Sequence, residues 1–235
     1  MCIRDSYQSK FNMRAMILAA GFGKRLLPLT EKKPKSLIKI GDKSLIQRNI
    51  EHLINNGFNE IIINVSYLGD QVVDHVQDVF PDENIIFSIE ESPLGTGGGI
   101  LRALPTLGNN PFLCMNADIF HNIEINDLPK DVKIAHLIGV ENPDHNKSGD
   151  FSLNNDLVEV KESFNELTWS GISVINPDVF SDIETESETF NVWKFVLLKY
   201  IQQGLVSGEK SENLWIDVGT HNRLNEAIKV YNDKE

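Results

Sequence analysis

Ala15-Met16-Ile17-Leu18-Ala19-Ala20 is an unbroken apolar run, and it ends in Gly21-Phe22-Gly23-Lys24-Arg25. A short apolar run bounded by glycine reads as a strand buried on both faces, the kind found in parallel sheets. The glycines that follow let backbone N–H groups approach and donate to phosphate oxygens without side-chain obstruction. Two familiar phosphate loops fail at this point. A Walker A loop needs Ser or Thr after Gly-Lys, where Arg25 stands, and a dinucleotide fingerprint needs a third glycine, where Leu26 stands. A plain strand-to-loop turn explains Gly21 and Gly23 equally well until the neighbouring charges are considered.

Lys24, Arg25, Lys32, Lys33 and Lys35 gather beside this turn in a chain whose net charge is -12. Arg can clamp phosphate oxygens bidentately, and Lys acts as a mobile point charge. Pro28 and Pro34 keep the segment from continuing as helix. Lys32 and Lys33 taken singly are better read as solvated surface. The acidic balance argues against nucleic-acid and anionic-membrane partners, so phosphates must meet local cations inside an acidic molecule.

Outward from the first strand, strands and helices alternate. Helical spacing covers Ser44 to Asn56, Leu68 to Phe80 and Gly97 to Leu107, between strands at Glu60 to Val65, Asn84 to Ile89 and Phe112 to Met115. This alternation specifies a parallel sheet with helices on both faces. Beyond Asp118 the rhythm changes to strands at Val132 to Val140, Asp150 to Leu153, Leu157 to Lys161 and Leu167 to Asn176, which predicts a mixed extension of the sheet. A helix over Asn191 to Gln203, a strand over Asn213 to Val218 and a helix over His221 to Tyr231 close the chain. With 235 residues and no Pro/Gly/Ser-rich linker, this predicts one α/β domain. Its nucleotide-binding half is 13-120 and its second-substrate half 121-235. Residues 1-12 read as a non-native leader, with Met13 or Met16 as the natural start, and a cytoplasmic enzyme is the default. Cys114 reads as a buried thiol, and two cysteines build neither a disulfide framework nor a zinc site.

Asn116-Ala117-Asp118 ends the fourth strand. Ligands of parallel sheets bind at carboxyl ends of strands, so Asp118 is expected in the cleft. A second aspartate, in Trp215-Ile-Asp217-Val-Gly-Thr220, also ends a strand. Either could merely cap the structure that follows. A carboxylate beside a triphosphate makes sense chiefly through Mg²⁺, which takes one or two carboxylates plus phosphate oxygens. Gly97-Gly98-Gly99 at a helix start allows close backbone approach to a ribose or base edge, while Thr96 or Thr106 would serve as a cap. His52 and His75 read as satisfied helix histidines, Trp193 and Phe195 as core, and Asp182 to Glu188 as a solvated acidic loop.

Leu18-Ala-Ala-Gly-Phe-Gly-Lys-Arg25 with Pro34-Lys35 resembles the signature of the sugar-1-phosphate nucleotidylyltransferases, from about Met13 to the C-terminus. The resemblance implies a GT-A-like Rossmannoid fold with a mixed, mainly parallel central sheet. It implies Arg25 on the leaving pyrophosphate, Lys35 beside the α-phosphate, and Asp118 and Asp217 on Mg²⁺. The nucleotide would lie against Leu18, Ala19, Ala20, Gly21, Gly23, Lys24, Gly97, Gly98 and Asn116. Asn142-Pro-x-His145, Gly149-Asp-Phe and Thr168-x-Ser-Gly-Ile-Ser-Val174 are similar to the N-acetylmuramate-1-phosphate uridylyltransferases of peptidoglycan recycling. That puts Gly149, Asp150, Thr168 and Gly171 in the sugar pocket, makes UTP and N-acetylmuramate 1-phosphate the expected substrates, and gives a monomer by default. Ala117 stands where many members have glycine. Lys161 is a partial match to the lysine that holds the sugar phosphate. Other sugar-1-phosphate pairs (mannose with GTP, glucose with dTTP or UTP) and a non-catalytic nucleotide-sugar binding module remain alternatives.

Overall fold

In the computed structural model, which describes residues 13–183 and 189–233, Ala15–Leu18 forms β1 as its apolar run predicts. The 1-12 leader with Cys2, and all but the first two residues of the acidic stretch Asp182 to Glu188, lie outside the described residues. Ala15 and Ile17 face one core while Met16 and Leu18 face another. That two-sided burial is why the run is continuous rather than alternating. After a loop tightened by 3₁₀ turns, β2 (Lys39–Ile40) and β3 (Lys43–Ser44) form a hairpin that delivers α1 (Leu45–Asn55). Ser44 caps α1 by accepting the Gln47 N–H at 3.2 Å. β4 (Ile61–Val65), α2 (Gly69–Val79), β5 (Ile85–Ile89), α3 (Gly95–Leu107) and β6 (Phe112–Asn116) complete the alternation.

β7 (Ile119–His121) leaves the sheet, and β8 (Ala135–Glu141), β9 (Ser152–Asn154), β10 (Leu157–Glu159) and β11 (Leu167–Ile175) re-enter it. A π-helical turn at Trp193–Leu197 runs into α4 (Leu198–Ile201), where the sequence predicts one regular helix. β12 (Ser207–Lys210), β13 (Trp215–Asp217) and α5 (His221–Asn232) follow. The main sheet has the order β5-β4-β1-β6-β11-β8-β12-β10-β9. Its first four strands are parallel, and β11 joins β6 antiparallel, so the sheet is mixed and mainly parallel only in its first half.

Three differences from the sequence reading stand out. β12 was not expected, because Ser-Gly-Glu-Lys carries no apolar alternation; it lies parallel to β8, with only Gly208 buried. The strand expected over Asn213 to Val218 is shorter and pairs with β7 in its own two-stranded sheet. Phe195 is 65% exposed rather than core, whereas Trp193 is partly buried and stacks on Trp169 at 5.6 Å between centroids. His52 and His75 are satisfied as expected, by Ile123 O and Ser44 Oγ, each at 2.9 Å.

Helices α1 and α2 cover one face of the sheet, α3 and α4 the other. A third, smaller core joins α5, β13 and the loop around Leu26. Among the described residues no helix is long and apolar enough to cross a membrane. In the order β5-β4-β1-β6 the chain leaves β1 towards one side and returns on the other, so the carboxyl ends of β1 and β6 flank a topological switch point. Open parallel sheets bind their ligands at such a point.

Candidate active site

A cleft of about 230 Å³ opens at this switch point, lined by Leu18, Ala19, Ala20 and Gly21 from the end of β1 and by Asn116, Ala117 and Asp118 from the end of β6. Lys35, Ser36, Asn64, Pro93, Gly95 and Thr96 complete the wall. The β1 end is fixed by a chain of hydrogen bonds that runs inward from the cleft. Ala19 N–H donates to Asn64 Oδ1 (2.8 Å), Asn64 Nδ2 donates to Glu90 Oε1 (2.6 Å), and Leu94 N–H donates to Glu90 Oε2 (2.9 Å). A buried carboxylate needs such partners, and here it ties three strand ends into one rigid rim.

The glycines of α3 serve this rim differently from the sequence expectation. Gly97 and Gly98 are buried and do not line the cleft; Pro93, Gly95 and Thr96 do. A side chain at Gly97 would strike the Phe190 ring, and one at Gly99 would meet Asn64 and Glu90 at 2.6 and 2.7 Å. Thr96 is not a helix cap, because its Oγ1 accepts the Val192 N–H at 3.0 Å.

The two aspartates are brought together by backbone pairing. β13 runs antiparallel to β7 with Asp217 opposite Ile119, and Val218 N–H donates to Asp118 O at 2.9 Å. Lys35 reaches between them. Its Nζ binds Asp118 Oδ2 and lies 3.9 Å from Asp217 Oδ1. Arg223 Nη1 binds Asp217 Oδ2 at 3.1 Å, and His145 Nε2 lies 3.9 Å from the same oxygen. Burial, and then the Asp118 carboxylate, push the Asp217 carboxyl above the usual range, with Lys35, Arg223 and Arg25 opposing. Burial, followed by the Arg223 and Arg25 cations, holds His145 below its ordinary value, against the Asp217 and Glu226 carboxylates.

Gly23 sits at φ +63°, and a side chain there would press on Thr30 and Lys35 at 3.0 and 3.1 Å, so glycine is favoured on both counts. Lys24 is exposed with Nζ 5.5 Å from the centre of the Phe22 ring, and Arg25 is exposed with its guanidinium turned towards Gly219 beside Asp217. Lys32 and Lys33 are exposed, as expected.

On the second half, Gly171 (φ +81°) lies in the β11 bulge against Asn116, where any side chain would displace the asparagine amide. Gly149 (φ +65°) lies against the Asn165 backbone. Thr168 is buried, its hydroxyl donating to Asn142 Oδ1 (2.9 Å) and accepting from Asn146 Nδ2 (3.0 Å). Asp150 accepts from Asn146 Nδ2 (3.0 Å) and from the Trp169 N–H (2.9 Å). These side chains therefore tie the Asn142-to-Asp150 loop to β11, and that loop carries His145 to Asp217. Lys161 is spent on Glu159 (3.2 Å) and Glu166 (3.6 Å) at the surface. A second, polar concavity of about 430 Å³ runs from Val140 and Pro143 past Lys210 and Asn213 to Trp215.

Two carboxylates alone do not enclose a metal, and among the described residues no group of three or more His, Cys, Asp or Glu could do so. The donor set fits a divalent cation that brings its remaining ligands as phosphate oxygens and water, the habit of Mg²⁺. Sequence reasoning missed Asn64, Glu90, Arg223 and the placement of His145. Arg223 alone carried a legible signal, a cation in the first turn of a helix.

A parallel switch-point sheet with a rigid rim, two facing carboxylates and convergent Lys and Arg defines a nucleotide-handling transferase. The chain belongs to the nucleotidyl transferase family, which it matches over residues 14–234. It is 43% identical over 228 residues to N-acetylmuramate alpha-1-phosphate uridylyltransferase of Neisseria meningitidis serogroup B, covering 92% of this chain and 96% of that protein. It is 30% identical over 195 residues to D-glycero-alpha-D-manno-heptose 1-phosphate guanylyltransferase of Campylobacter jejuni, covering 80% and 86%. Both relatives are sugar-1-phosphate nucleotidyltransferases, and the enzyme class expected from the sequence is met. The fold matches a putative glucose-1-phosphate thymidylyltransferase from Bacillus anthracis, solved with sucrose, at a TM-score of 0.82 and 20% identity, covering 94% and 96%.

Proposed function

We propose that this chain transfers UMP from UTP to N-acetylmuramate 1-phosphate, with Mg²⁺, releasing pyrophosphate. The observation that carries the reading is the convergence of Lys35, Asp118 and Asp217 at the cleft. The sequence match to the Neisseria uridylyltransferase across nearly the whole chain supports the choice of substrates. A sugar-phosphate oxygen forms a bond to the α-phosphorus of UTP while the bond from that phosphorus to the β-phosphate oxygen breaks. The nucleophile is anionic near neutral pH, so no residue need remove a proton. Catalysis is then positioning and charge neutralisation.

In this reading the rim of Leu18 to Gly21 seats the nucleoside, and Asn116, held against Gly171, faces the α-phosphate end of the cleft. Lys35, which binds Asp118 and lies beside Asp217, would bring its charge to the α-phosphate. Arg25, exposed and beside Asp217, follows the departing pyrophosphate. Asp118 and Asp217 would hold a divalent cation, which would supply charge neutralisation to the reacting phosphates. Residues 13-120 form the nucleotide half and 121-235 the sugar half. The setting is peptidoglycan recycling in the cytoplasm, with the chain a monomer.

The test is pyrophosphate release from UTP, GTP and dTTP, each paired with the 1-phosphates of N-acetylmuramate, mannose, glucose and D-glycero-D-manno-heptose. The expected best pair is UTP with N-acetylmuramate 1-phosphate. A better rate with GTP and a manno-configured sugar would replace the substrate assignment by the guanylyl reading that the Campylobacter relative suggests. Tight nucleotide binding without release in any pair would make the chain a binding module. Asp118→Asn and Asp217→Asn are each expected to lower the rate by about 10²–10³ in saturating Mg²⁺.

A further inference from the structure

We propose that Arg223 is a positioning residue that holds Asp217 from behind and fixes which of its carboxylate oxygens faces the cleft; the inference rests on reading Asp118 and Asp217 as a cation-holding pair. Arg223 occupies a place that general rules disfavour. It lies in the first turn of α5, where its N–H donates to Thr220 Oγ1 at 3.4 Å and its charge opposes the positive end of the helix. Its side chain is only 10% exposed, and its Nε and Nη2 are buried with no acceptor among the described residues. Buried donors without acceptors are costly. Its one ion pair among the described residues is Nη1 to Asp217 Oδ2. A burial so unfavourable on three counts, and compensated by a single contact, marks that contact as the reason for the residue.

The contact divides the carboxylate. Oδ2 is turned towards Arg223 and His145, while Oδ1 points to Lys35 and the Asp118 side. Gly219 makes the arrangement possible, because a side chain there would strike the Arg223 guanidinium and lie 3.0 Å from Asp217 Oδ1. Arg25 approaches the same point from solvent, with Nη2 at 3.1 Å. The two arginines thus differ in kind, since Arg25 can follow a phosphate and the buried Arg223 cannot. Partners standing behind a metal-binding carboxylate typically set its orientation, and their loss weakens metal affinity about 10–100-fold.

The probe is Mn²⁺ titrated into the full chain with the α,β-methylene analogue of UTP, read by electron paramagnetic resonance, beside steady-state kinetics. Arg223→Met is expected to weaken Mn²⁺ about 10–100-fold and to lower kcat, with KM for the sugar phosphate nearly unchanged. Arg223→Lys keeps the charge but loses the rigid fork, and is expected between wild type and Arg223→Met; it also carries the test if Arg223→Met does not fold. In an Asp217→Asn background, Arg223→Met should change Mn²⁺ affinity less than about twofold, because the partner is already gone. Normal Mn²⁺ affinity in both Arg223 variants, with weakened binding in Asp217→Asn, would overturn the role of Arg223 alone. Normal affinity in Asp217→Asn would remove the underlying cation-pair reading, and this inference with it.

Discussion

At the scale of single residues, the site turns on side chains that are missing as much as on those present. Gly219 has no required left-handed backbone; its role is room for Asp217, Arg25 and Arg223. The groups that Gly219→Ala would displace are side-chain ends rather than backbone, so the fold should absorb it. Tm is expected within about 3 °C of wild type, since about 1 kcal/mol moves a domain of this length by only about 2–4 °C. The turnover number should nevertheless fall at least about tenfold as Asp217 loses its setting. Thermal scans beside steady-state rates check this; a normal rate would mean that the spacing around Asp217 does not matter. Asp118 and Asp217 were legible because residue type and strand-end position both pointed to the cleft, and Lys35 because it belongs to the basic cluster that follows β1. Asn64 and Glu90 were not, because a polar residue inside or just past an apolar strand gives no hint of a partner 26 positions away.

At the scale of elements, the strands buried on both faces were the readable ones. β1, β4 and β6 carry apolar residues at nearly every position, since each face meets its own helical layer. β12, β7 and β13 escaped or blurred, being short pieces held by backbone pairing rather than by an apolar pattern. Tertiary context decides such strands. The sequence reads the triple glycine of α3 as close approach to a ribose or base edge, whereas Phe190, Asn64 and Glu90 approach it from within the protein. Cys114 reports on the central element. It is buried in β6, between β1 and β11, and burial pushes its thiol up to about 12. In a Cys2→Ser background, Cys114 should therefore react with a thiol reagent at pH 8 only as fast as the sheet opens globally. Labelling much faster than unfolding in mild denaturant would contradict so deep a placement.

At the scale of the whole molecule, one continuous nine-stranded sheet carries both halves, and the site lies where its parallel and antiparallel parts meet. The pairing of β13 with β7 brings Asp217 back to the end of β6, so the site forms only when β1 and β13 have folded together. Buried histidines tie its stability to pH. The His121 Nε2 is shut off from water although part of the residue reaches the surface, and burial, with His52 next, lowers the ring to about 3 from 6.5. Between those values the unfolded chain takes up a proton that the folded one refuses. Stability is therefore full above about pH 6.5 and falls towards pH 3, with a slope of up to about 1.4 kcal/mol per pH unit from this residue. Denaturant titrations from pH 7 to 4 should show a shallower loss in His121→Phe than in wild type; equal slopes would contradict the placement. The central claim is that a sugar phosphate attacks the α-phosphorus of a triphosphate held at the Leu18 to Lys35 segment. It is tested most directly by phosphorus NMR of the reaction of UTP with N-acetylmuramate 1-phosphate whose non-bridging oxygens are ¹⁸O. The account predicts ¹⁸O in the bridge between the two product phosphorus atoms and unlabelled pyrophosphate in equal amount. Label in the pyrophosphate, or UMP formed in place of a nucleotide-sugar, would contradict it.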